Sequence, residues 1–386
     1  MASESEHEMK LMVPASLEET IIDTAEALEA FIERVRATDH RWCAVDTEAD
    51  SMHSYETKLC LIQFVSGNRL AVIDPLAIPN ESLEHLLDLI DEAEVVWLHG
   101  ADYDMAMFRK TFGRIPATVW DTQTAARLLG VEQFGLANLI EANFGVKLSK
   151  QSQKADWGKR PLPEKMLQYA FNDVRYMLPM AEHYVKRLKE AGRMDWFIES
   201  CASAREIAAN REEKPSDDAW RVTGWGKLDR QGLAYLRALW NWRDEECRTL
   251  DRPAFKLISN QELVSISERL LRGERVDPPR YLRPPIARRL IKKISEARSI
   301  QESEWPRKNR RGTGQRLQID EEELQRLRDH RNRVAQEMGL DQTLIAARAV
   351  LEKLASTNVS EEEKNSLLLR WQRELMGRNG SSASQG

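Results

Sequence analysis

The stretch WCAVDTEAD, residues 42–50, places two acidic residues at alternate positions behind an apolar run. Residues 42–45 are typical of a buried strand. A strand points residues i and i+2 to the same face, so Asp46 and Glu48 should project together. Carboxylates at the end of a buried strand are costly unless something pairs with them, and a divalent cation does so well. The stretch therefore predicts a strand that carries metal ligands.

Two further segments carry acids of the same kind. Asp104 follows the apolar run 95–98, and Tyr169 and Asp173 lie four residues apart in a helical pattern, which puts them on one face, one turn apart. Two-metal phosphoryl chemistry needs carboxylates that hold two cations ~3.5–4 Å apart, and magnesium prefers oxygen ligands. Folding would assemble such a site from the four carboxylates, and the tyrosine hydroxyl could lie on the attacking water.

Other polar residues close to these segments have simpler interpretations. Asp102 is an additional acid that could face the same side as Asp104 if the chain leaves its strand in an extended form. His99 follows an apolar strand, so a structural hydrogen bond is expected rather than metal binding. Asp121 in VWDTQ is expected to cap a helix that begins near Thr122.

Composition predicts a globular, cytoplasmic protein. The 386 residues are 42% hydrophobic and 31% charged, enough for two or three domains with ample core. No apolar stretch approaches the roughly 20 residues that cross a bilayer, and the acidic N-terminus lacks the apolar segment of a secretory signal. The four cysteines are scattered without metal-ligand spacing, which favours reduced packing residues.

Charge is unevenly distributed along the chain. The formal net charge is −5, yet residues 280–316 hold twelve lysines and arginines and only three glutamates. A basic stretch on an acidic protein favours a polyanionic partner. A solvated helix face followed by a charged linker explains the same residues, and charge alone leaves both interpretations open.

The first 200 residues show alternating strand and helix patterns, and the rest is helical. Strands are expected over 41–46, 59–65, 69–74 and 95–98, with a hairpin turn at 66–68. Helices are expected over 83–94, 105–112, 122–130 and, as one long helix, 163–192. This order predicts a mixed sheet flanked by helices. The helical units at 219–300 and 319–376 are similar in size and could be a diverged repeat, although no fixed-period identity is evident.

Taken in order, the acidic motifs resemble those of DEDD-type 3′–5′ exonucleases of the tyrosine-bearing branch, and most closely the ribonuclease D family. The matching motifs are Asp46-x-Glu48, His99-x4-Asp104 and Tyr169-x3-Asp173, followed by helical stretches similar to HRDC domains, such as Ala219-Trp220-Arg221 and Trp242-Arg243. The resemblance implies a ribonuclease H-like mixed sheet and two small all-α HRDC-type domains. It also implies these boundaries: tail 1–17, exonuclease domain 18–205, linker 206–218, HRDC domain 219–300, basic linker 301–318, second HRDC-like domain 319–377 and disordered tail 378–386.

The same resemblance implies roles for the site residues. Asp46 would contact two divalent cations, Mg²⁺ or Mn²⁺; Glu48 and Asp173 would hold the cation that activates water, and Asp104 would serve the other. Tyr169 would position the attacking water. RNA contacts are expected from Gln63, Lys150, Trp157, Arg160, Arg288, Arg289, Lys292 and Lys293. Trp157 could equally stack on a base or fill its own loop.

The implied activity is a metal-dependent 3′–5′ exoribonuclease that releases nucleoside 5′-monophosphates from structured RNA 3′ ends such as tRNA precursors. The expected partner is RNA and not a membrane, and the expected state is a monomer. Two alternatives remain open: a 3′–5′ DNA exonuclease, since the same carboxylates serve DNA, and a non-catalytic RNA-binding scaffold. The complete acid set argues against the scaffold.

Overall fold

The computed structural model describes residues 10–13, 16–38, 40–149, 151–211, 216–308 and 317–378. These residues form two compact units. The sheet unit contains the described residues of 1–48, 59–211 and 315–386, and the helical unit contains those of 49–58 and 212–314. Residues 309–316 of the expected linker 301–318 and residues 379–386 of the expected tail 378–386 lie outside the described residues.

The sheet unit is built on a six-stranded mixed sheet in the order β1-β4-β3-β2-β5-β6. The β1–β4, β2–β5 and β5–β6 pairs are parallel, and β3–β4 is antiparallel. The strands span Glu18–Ile22 (β1), Trp42–Ala49 (β2), Leu59–Ser66 (β3), Arg69–Ile73 (β4), Val95–Leu98 (β5) and Val119–Asp121 (β6). The predicted turn between β3 and β4 is confirmed, with Gly67 at φ +55°. The sequence patterns missed β1 and β6.

Helices flank this sheet, which confirms the predicted α/β fold class. They span Ala25–Arg36 (α1), Asn80–Glu92 (α2), Asp102–Phe112 (α3), Thr122–Leu128 (α4), Leu136–Phe144 (α5), Glu164–Arg175 (α6), Met177–Glu190 (α7) and Met194–Ala209 (α8). The single long helix expected over 163–192 is two helices, α6 and α7, divided at Tyr176. The expected boundary after residue 205 lies inside α8, so the sheet unit ends later than predicted.

Aromatic packing joins the helices to the sheet. Phe31 of α1 meets Phe64 of β3 edge-on, with ring centroids 5.8 Å apart. Trp97 of β5 stacks on Phe197 of α8 at 5.8 Å and meets Trp42 of β2 at 5.5 Å. Large buried rings contribute the most apolar area per residue, so these contacts hold β2 and β5 side by side. That pairing brings their carboxyl ends to one edge.

The helical unit is a small all-α domain with its own core. Its helices span Arg230–Thr249 (α9), Ala254–Leu257 (α10), Asn260–Leu271 (α11) and Pro284–Arg298 (α12), with short 3₁₀ helices at Ser216–Asp218, Trp225–Lys227 and Glu302–Glu304. Residues 49–58, which follow Glu48, belong to this unit. Tyr55 anchors them to α9: its hydroxyl donates to Asp244 at 2.7 Å and its backbone N–H to Asp251 at 2.9 Å.

The second C-terminal helical segment belongs to the sheet unit. Its helices span Glu321–Met338 (α13), Gln342–Ile345 (α14), Arg348–Leu354 (α15), Glu361–Ser366 (α16) and Arg370–Leu375 (α17). Trp371 stacks on Trp196 of α8 at 5.1 Å, its indole N–H donates to Ser200 at 3.2 Å, and Arg193 donates to the Met338 carbonyl at 2.7 Å. The segment therefore shares one hydrophobic core with the sheet, which differs from the separate domain expected over 319–377.

The two C-terminal helical segments repeat one pattern of buried residues. Arg243 of α9 donates to the Ile258 carbonyl at 3.0 Å, and Arg331 of α13 donates to the Ala346 carbonyl at 2.9 Å. Both arginines are buried. At the same offset the other buried pairs are Leu236 and Leu324, Leu239 and Leu327, Cys247 and Ala335, Leu257 and Ile345, Leu263 and Leu351, Ile266 and Leu354, and Ser267 and Ala355. The structure thus identifies the diverged repeat that the sequence left open.

Candidate active site

The carboxyl edge of β2 brings three acids from distant segments together. Ligand oxygens of Asp46, Glu48 and Asp173 all lie within 4.8 Å of one another. Asp46 and Glu48 alternate with Thr47 along β2, and α6 packs against β3 and β4, which delivers Asp173 to the same edge. The close approach of these three acids agrees with the sequence-based prediction.

Asp104 reaches this cluster from the other side. β5 runs parallel to β2 and ends at Leu98, and α3 begins four residues later. The Asp104 carboxylate is 3% exposed and accepts a 2.5 Å hydrogen bond from the Thr47 hydroxyl. It repels the ionised forms of Asp46 and Glu48. Asp104 is therefore an electrostatic neighbour of the cluster and is oriented by a side chain of β2.

Burial and mutual repulsion govern ionisation in the cluster. Burial, and then the Asp173 carboxylate, raise the pKa of Asp46 well above its usual range. Burial, and then Asp46 and Asp104, raise the pKa of Glu48 to about 9. Burial, and then Asp46, raise the pKa of Asp104. Burial, and then Glu48, raise the pKa of Asp173. Among the described residues, other acids and a few hydrogen bonds are the causes that accompany burial, and no basic side chain offsets the negative charge of the cluster.

These shifts link the cluster to stability and to cation binding. Because the folded-state pKa of Glu48 is raised from 4.5 to about 9, the metal-free folded chain holds more protons than the unfolded chain between these values. The contribution of Glu48 to the stability of the metal-free chain is therefore full below pH 4.5 and is lost as the pH rises through the folded-state pKa. A divalent cation favours the ionised carboxylates, so its binding releases protons. The all-oxygen ligand set fits a hard cation such as Mg²⁺ or Mn²⁺.

Tyr169 faces the acids from α6, as its spacing predicts. Its hydroxyl hydrogen-bonds the Asp173 carboxylate one turn further on, which lowers the pKa of Asp173 against the effect of burial. Burial, and then Asp173, raise the pKa of the Tyr169 hydroxyl above its usual range. The Tyr169 hydroxyl is thus a neutral hydrogen-bond donor beside the acid cluster. A cavity of about 370 Å³, lined in part by Tyr169, Asp173, Gln168 and Asn172, opens next to it.

Asp102 points away from the cluster, because residues 102–112 are helical and not an extended exit. Positions i and i+2 of a helix lie on different faces, so Asp102 is exposed while Asp104 is buried. The extended exit under which Asp102 could face the same side as Asp104 is therefore absent here.

The predicted structural roles of Asp121 and His99 are confirmed. Asp121 accepts from the Gln123 N–H at 2.8 Å as the N-cap of α4 and also from the Gly100 N–H at 2.9 Å. The His99 Nδ1 lies 2.9 Å from the Thr122 hydroxyl. These contacts hold the turn between β5 and α3, and therefore the start of the helix that carries Asp104.

Residues expected to contact RNA near the sheet are mostly enclosed. Gln63 is fully buried, with both amide atoms unpaired within the described residues. Trp157 is 1% exposed and packs on Tyr169 at 6.0 Å, which favours its loop-filling interpretation. Arg160 donates to Asp74 at 2.7 Å and to the Cys60 carbonyl at 2.9 Å, so its guanidinium is occupied within the fold. Lys150 lies outside the described residues.

The basic residues expected on α12 are partly neutralised. Arg289 forms a two-pronged pair with Glu246, with one N···O distance of 2.6 Å. Lys293 pairs with Glu296 at 3.1 Å, and Lys292 approaches the same carboxylate at 3.9 Å. Arg288 is exposed, and its guanidinium has no ion pair within the described residues.

All four cysteines are buried and free, as expected for packing residues.

Thr47 is a site residue that the sequence interpretation missed, although it stands between the two acids of the first motif. We expect Thr47→Val to weaken cation binding about 10–100-fold, the range typical for loss of a hydrogen bond to a metal ligand. Thr47→Ser keeps a hydroxyl and should stay near wild type. Calorimetric titration with Mn²⁺ measures this. Ser66→Ala is the control, since it removes a buried hydroxyl that donates to the Trp42 carbonyl at the opposite end of β2. Equal affinities for Thr47→Val and wild type contradict the role.

Within the described residues, no helix is long and apolar enough to cross a membrane.

Comparisons with known proteins agree with this geometry. Residues 20–189 match a 3′–5′ exonuclease family model. Ribonuclease D of Sphingobium indicum is 32% identical over 250 residues, 64% of this chain and 63% of that protein, so the match spans less than two thirds of the relative. Ribonuclease D of Pseudomonas paraeruginosa is 30% identical over 350 residues, 87% of this chain and 90% of that protein.

The fold agrees as well. Ribonuclease D of Escherichia coli, described as an exoribonuclease involved in structured RNA processing, superposes with a TM-score of 0.66 at 24% identity, over 94% of this chain and 99% of that one. With the acid cluster on the carboxyl edge of β2 and a relative matched along nearly its whole length, the chain belongs to the ribonuclease D family.

Proposed function

We propose that this chain is a metal-dependent 3′–5′ exoribonuclease that releases nucleoside 5′-monophosphates from RNA 3′ ends. The proposal rests on one observation above all: Asp46, Glu48 and Asp173 converge within 4.8 Å, and the Tyr169 hydroxyl hydrogen-bonds one of them. An acid cluster this buried, without a basic partner, is expensive for a fold to keep unless a cation neutralises it.

Two divalent cations, Mg²⁺ or Mn²⁺, would activate a water and neutralise charge on the scissile phosphate. Asp46, whose ligand oxygen lies within 4.8 Å of those of Glu48 and Asp173 and whose charge acts on Asp104, would help to hold both ions. Glu48 and Asp173 would hold the ion on the water side, and Asp104, oriented by Thr47, would hold the other. The Tyr169 hydroxyl would orient the attacking water toward phosphorus while its ring packs on Trp157.

The substrate we propose is a structured RNA with a free 3′ end, such as a tRNA precursor, as the description of the Escherichia coli relative suggests. The helical unit would add phosphate contacts that are indifferent to sequence. We further propose that the protein acts in the cytoplasm as a monomer. The sheet unit alone does not distinguish RNA from DNA, since the carboxylates act on phosphates that both share.

End-labelled RNA and matched DNA, each incubated with Mg²⁺, Mn²⁺ or EDTA, test the proposal. We expect stepwise shortening of RNA from its 3′ end, release of nucleoside 5′-monophosphates, no cleavage in EDTA and slower cleavage of DNA. Preferred cleavage of DNA would make the protein a DNA exonuclease. RNA binding without any cleavage under all three conditions would favour a non-catalytic scaffold.

A further inference from the structure

The segment DPPRYLRPP, residues 277–285, joins α11 to α12 in the helical unit. Two prolines precede and two follow its central residues. Proline fixes its own φ and restricts the residue before it, so the segment has few conformations to lose on binding. Leu282 is buried in the core of the unit, whereas the side chain before it, Tyr281, is 62% exposed. The segment therefore presents an aromatic ring from a well-anchored loop.

A hydrogen bond holds this exposed ring in place. The Tyr281 hydroxyl donates to the Glu262 carboxylate on α11. An exposed tyrosine is unremarkable by itself, but a ring tied at its polar end leaves its apolar faces in water in a fixed orientation. Because the side chain is already held in place, it loses little conformational entropy when a flat ligand stacks on the ring.

The charges on either side indicate what that ligand is. Arg280 and Arg283 flank Tyr281 and are both exposed, and their guanidinium groups make no ion pair within the described residues. The neighbouring acids are already engaged, because Glu262 bonds the tyrosine and Asp277 pairs with Arg275 at 3.3 Å. An exposed ring with an unneutralised arginine on each side of it in the sequence is complementary to a base and the phosphates next to it.

We propose that Tyr281, Arg280 and Arg283 form a binding site for an unpaired nucleotide of single-stranded RNA. The base stacks on the tyrosine ring, and the two arginines contact the adjacent phosphates. This inference rests on the proposed function, and it moves the expected RNA contact of the helical unit from the partly neutralised face of α12 to the loop before it.

The test uses the full-length chain in an Asp46→Asn background, which leaves the RNA intact. Fluorescence anisotropy measures affinity for a 12-nucleotide single strand and for a blunt RNA duplex over a range of salt. Tyr281→Ala should weaken single-strand binding roughly tenfold, since stacking on an aromatic side chain is typically worth about 1–3 kcal/mol per base. The slope of log K against log salt should not change, because the ring carries no charge.

Tyr281→Phe keeps the ring but loses the hydrogen bond to Glu262 that holds it, so its single-strand affinity should lie between those of the parent chain and Tyr281→Ala. Arg280→Ala combined with Arg283→Ala should weaken binding and make the salt slope shallower by about 1.4, as expected for two lost phosphate contacts on a single strand. Phe255→Ala is the control, because Phe255 is 53% exposed in the same unit and its neighbours in sequence, Ala254 and Lys256, supply no arginine pair. The duplex, with no unpaired base, should respond to the arginines but not to Tyr281.

If Tyr281→Ala binds the single strand as tightly as the parent chain does, the inference is wrong, and the surface would instead be assigned to binding a protein partner. An equal loss in Phe255→Ala also overturns it, since exposure alone would then explain the effect. These outcomes differ from failure of the proposed function, in which the chain with Asp46 intact cleaves no RNA in Mg²⁺ or Mn²⁺, whatever residue occupies position 281.

Discussion

Asp46→Asn should reduce RNA hydrolysis by roughly 10³-fold or more while leaving the fold intact, because groups that act as one catalytic unit are far from additive when one is removed. The half-buried Asp46 interacts electrostatically with Asp173 and Asp104, so under the proposed mechanism the loss of its carboxylate would lower cation affinity. The substitution also removes one repelling charge, so the metal-free protein should not be less stable. Turnover of end-labelled RNA in saturating Mg²⁺ or Mn²⁺ measures the effect on hydrolysis, and thermal unfolding in EDTA measures the effect on stability.

Asp102→Asn is the matched control for that experiment. It makes the same chemical change two residues from Asp104, at an exposed position on the first turn of α3. Its turnover and its Mn²⁺ affinity should match wild type. If Asp46→Asn retains more than about a tenth of wild-type turnover with contaminating nucleases excluded, the assignment of the metal site is wrong.

Tyr169→Phe should slow hydrolysis by about 10²–10⁴-fold, the usual contribution of a group that positions or exchanges a proton with the reacting water. Only the hydroxyl is deleted, so the ring contact with Trp157 remains. The Tyr169 hydroxyl is not itself expected to be a metal ligand, but it hydrogen-bonds Asp173, so cation affinity should fall by at most the roughly 10–100-fold typical for such a bond, and turnover is compared in saturating Mn²⁺. The diagnostic result is a fall in turnover without a matching change in Mn²⁺ affinity or in the substrate concentration for half-maximal rate.

Tyr176→Phe provides the comparison for Tyr169→Phe. Tyr176 is buried where α6 meets α7, and its ring packs on Phe144 with the ring centroids 5.1 Å apart. Its substitution should leave turnover unchanged. Equal rates for Tyr169→Phe and wild type would return Tyr169 to a packing role on α6.

Local sequence was sufficient to predict features that depend on a single strand, helix or turn. Alternation along β2 predicted that Asp46 and Glu48 face one way, and four-residue spacing on α6 did the same for Tyr169 and Asp173, because side-chain direction within a strand or helix is a local property. The turn at Gly67 was predictable for the same reason. The direction of Asp102 stayed open in the sequence, because residues two apart share a face on an extended strand but not on a helix.

Short or weakly patterned strands could not be predicted from the local sequence. β6 has three residues, too few for an alternation to be visible, and β1 reads EETII, a mostly polar stretch that forms a strand by pairing with β4. Strand formation of this kind depends on cross-strand partners far away in the chain. The break between α6 and α7 likewise lies inside a continuous helical pattern.

The sequence by itself determined the order of the acidic motifs, the α/β-then-helical organisation and the family to which they point, since these depend on spacing and periodicity along the chain. Only the tertiary structure decided that α13–α17 share a core with the sheet, that Thr47 orients Asp104, and which basic side chains remain unneutralised. Each of these depends on which surfaces meet after folding: Trp371 finds Trp196, and Arg289 finds Glu246. No local pattern encodes such pairings, because the partners are separated by dozens of residues and are matched by shape and charge.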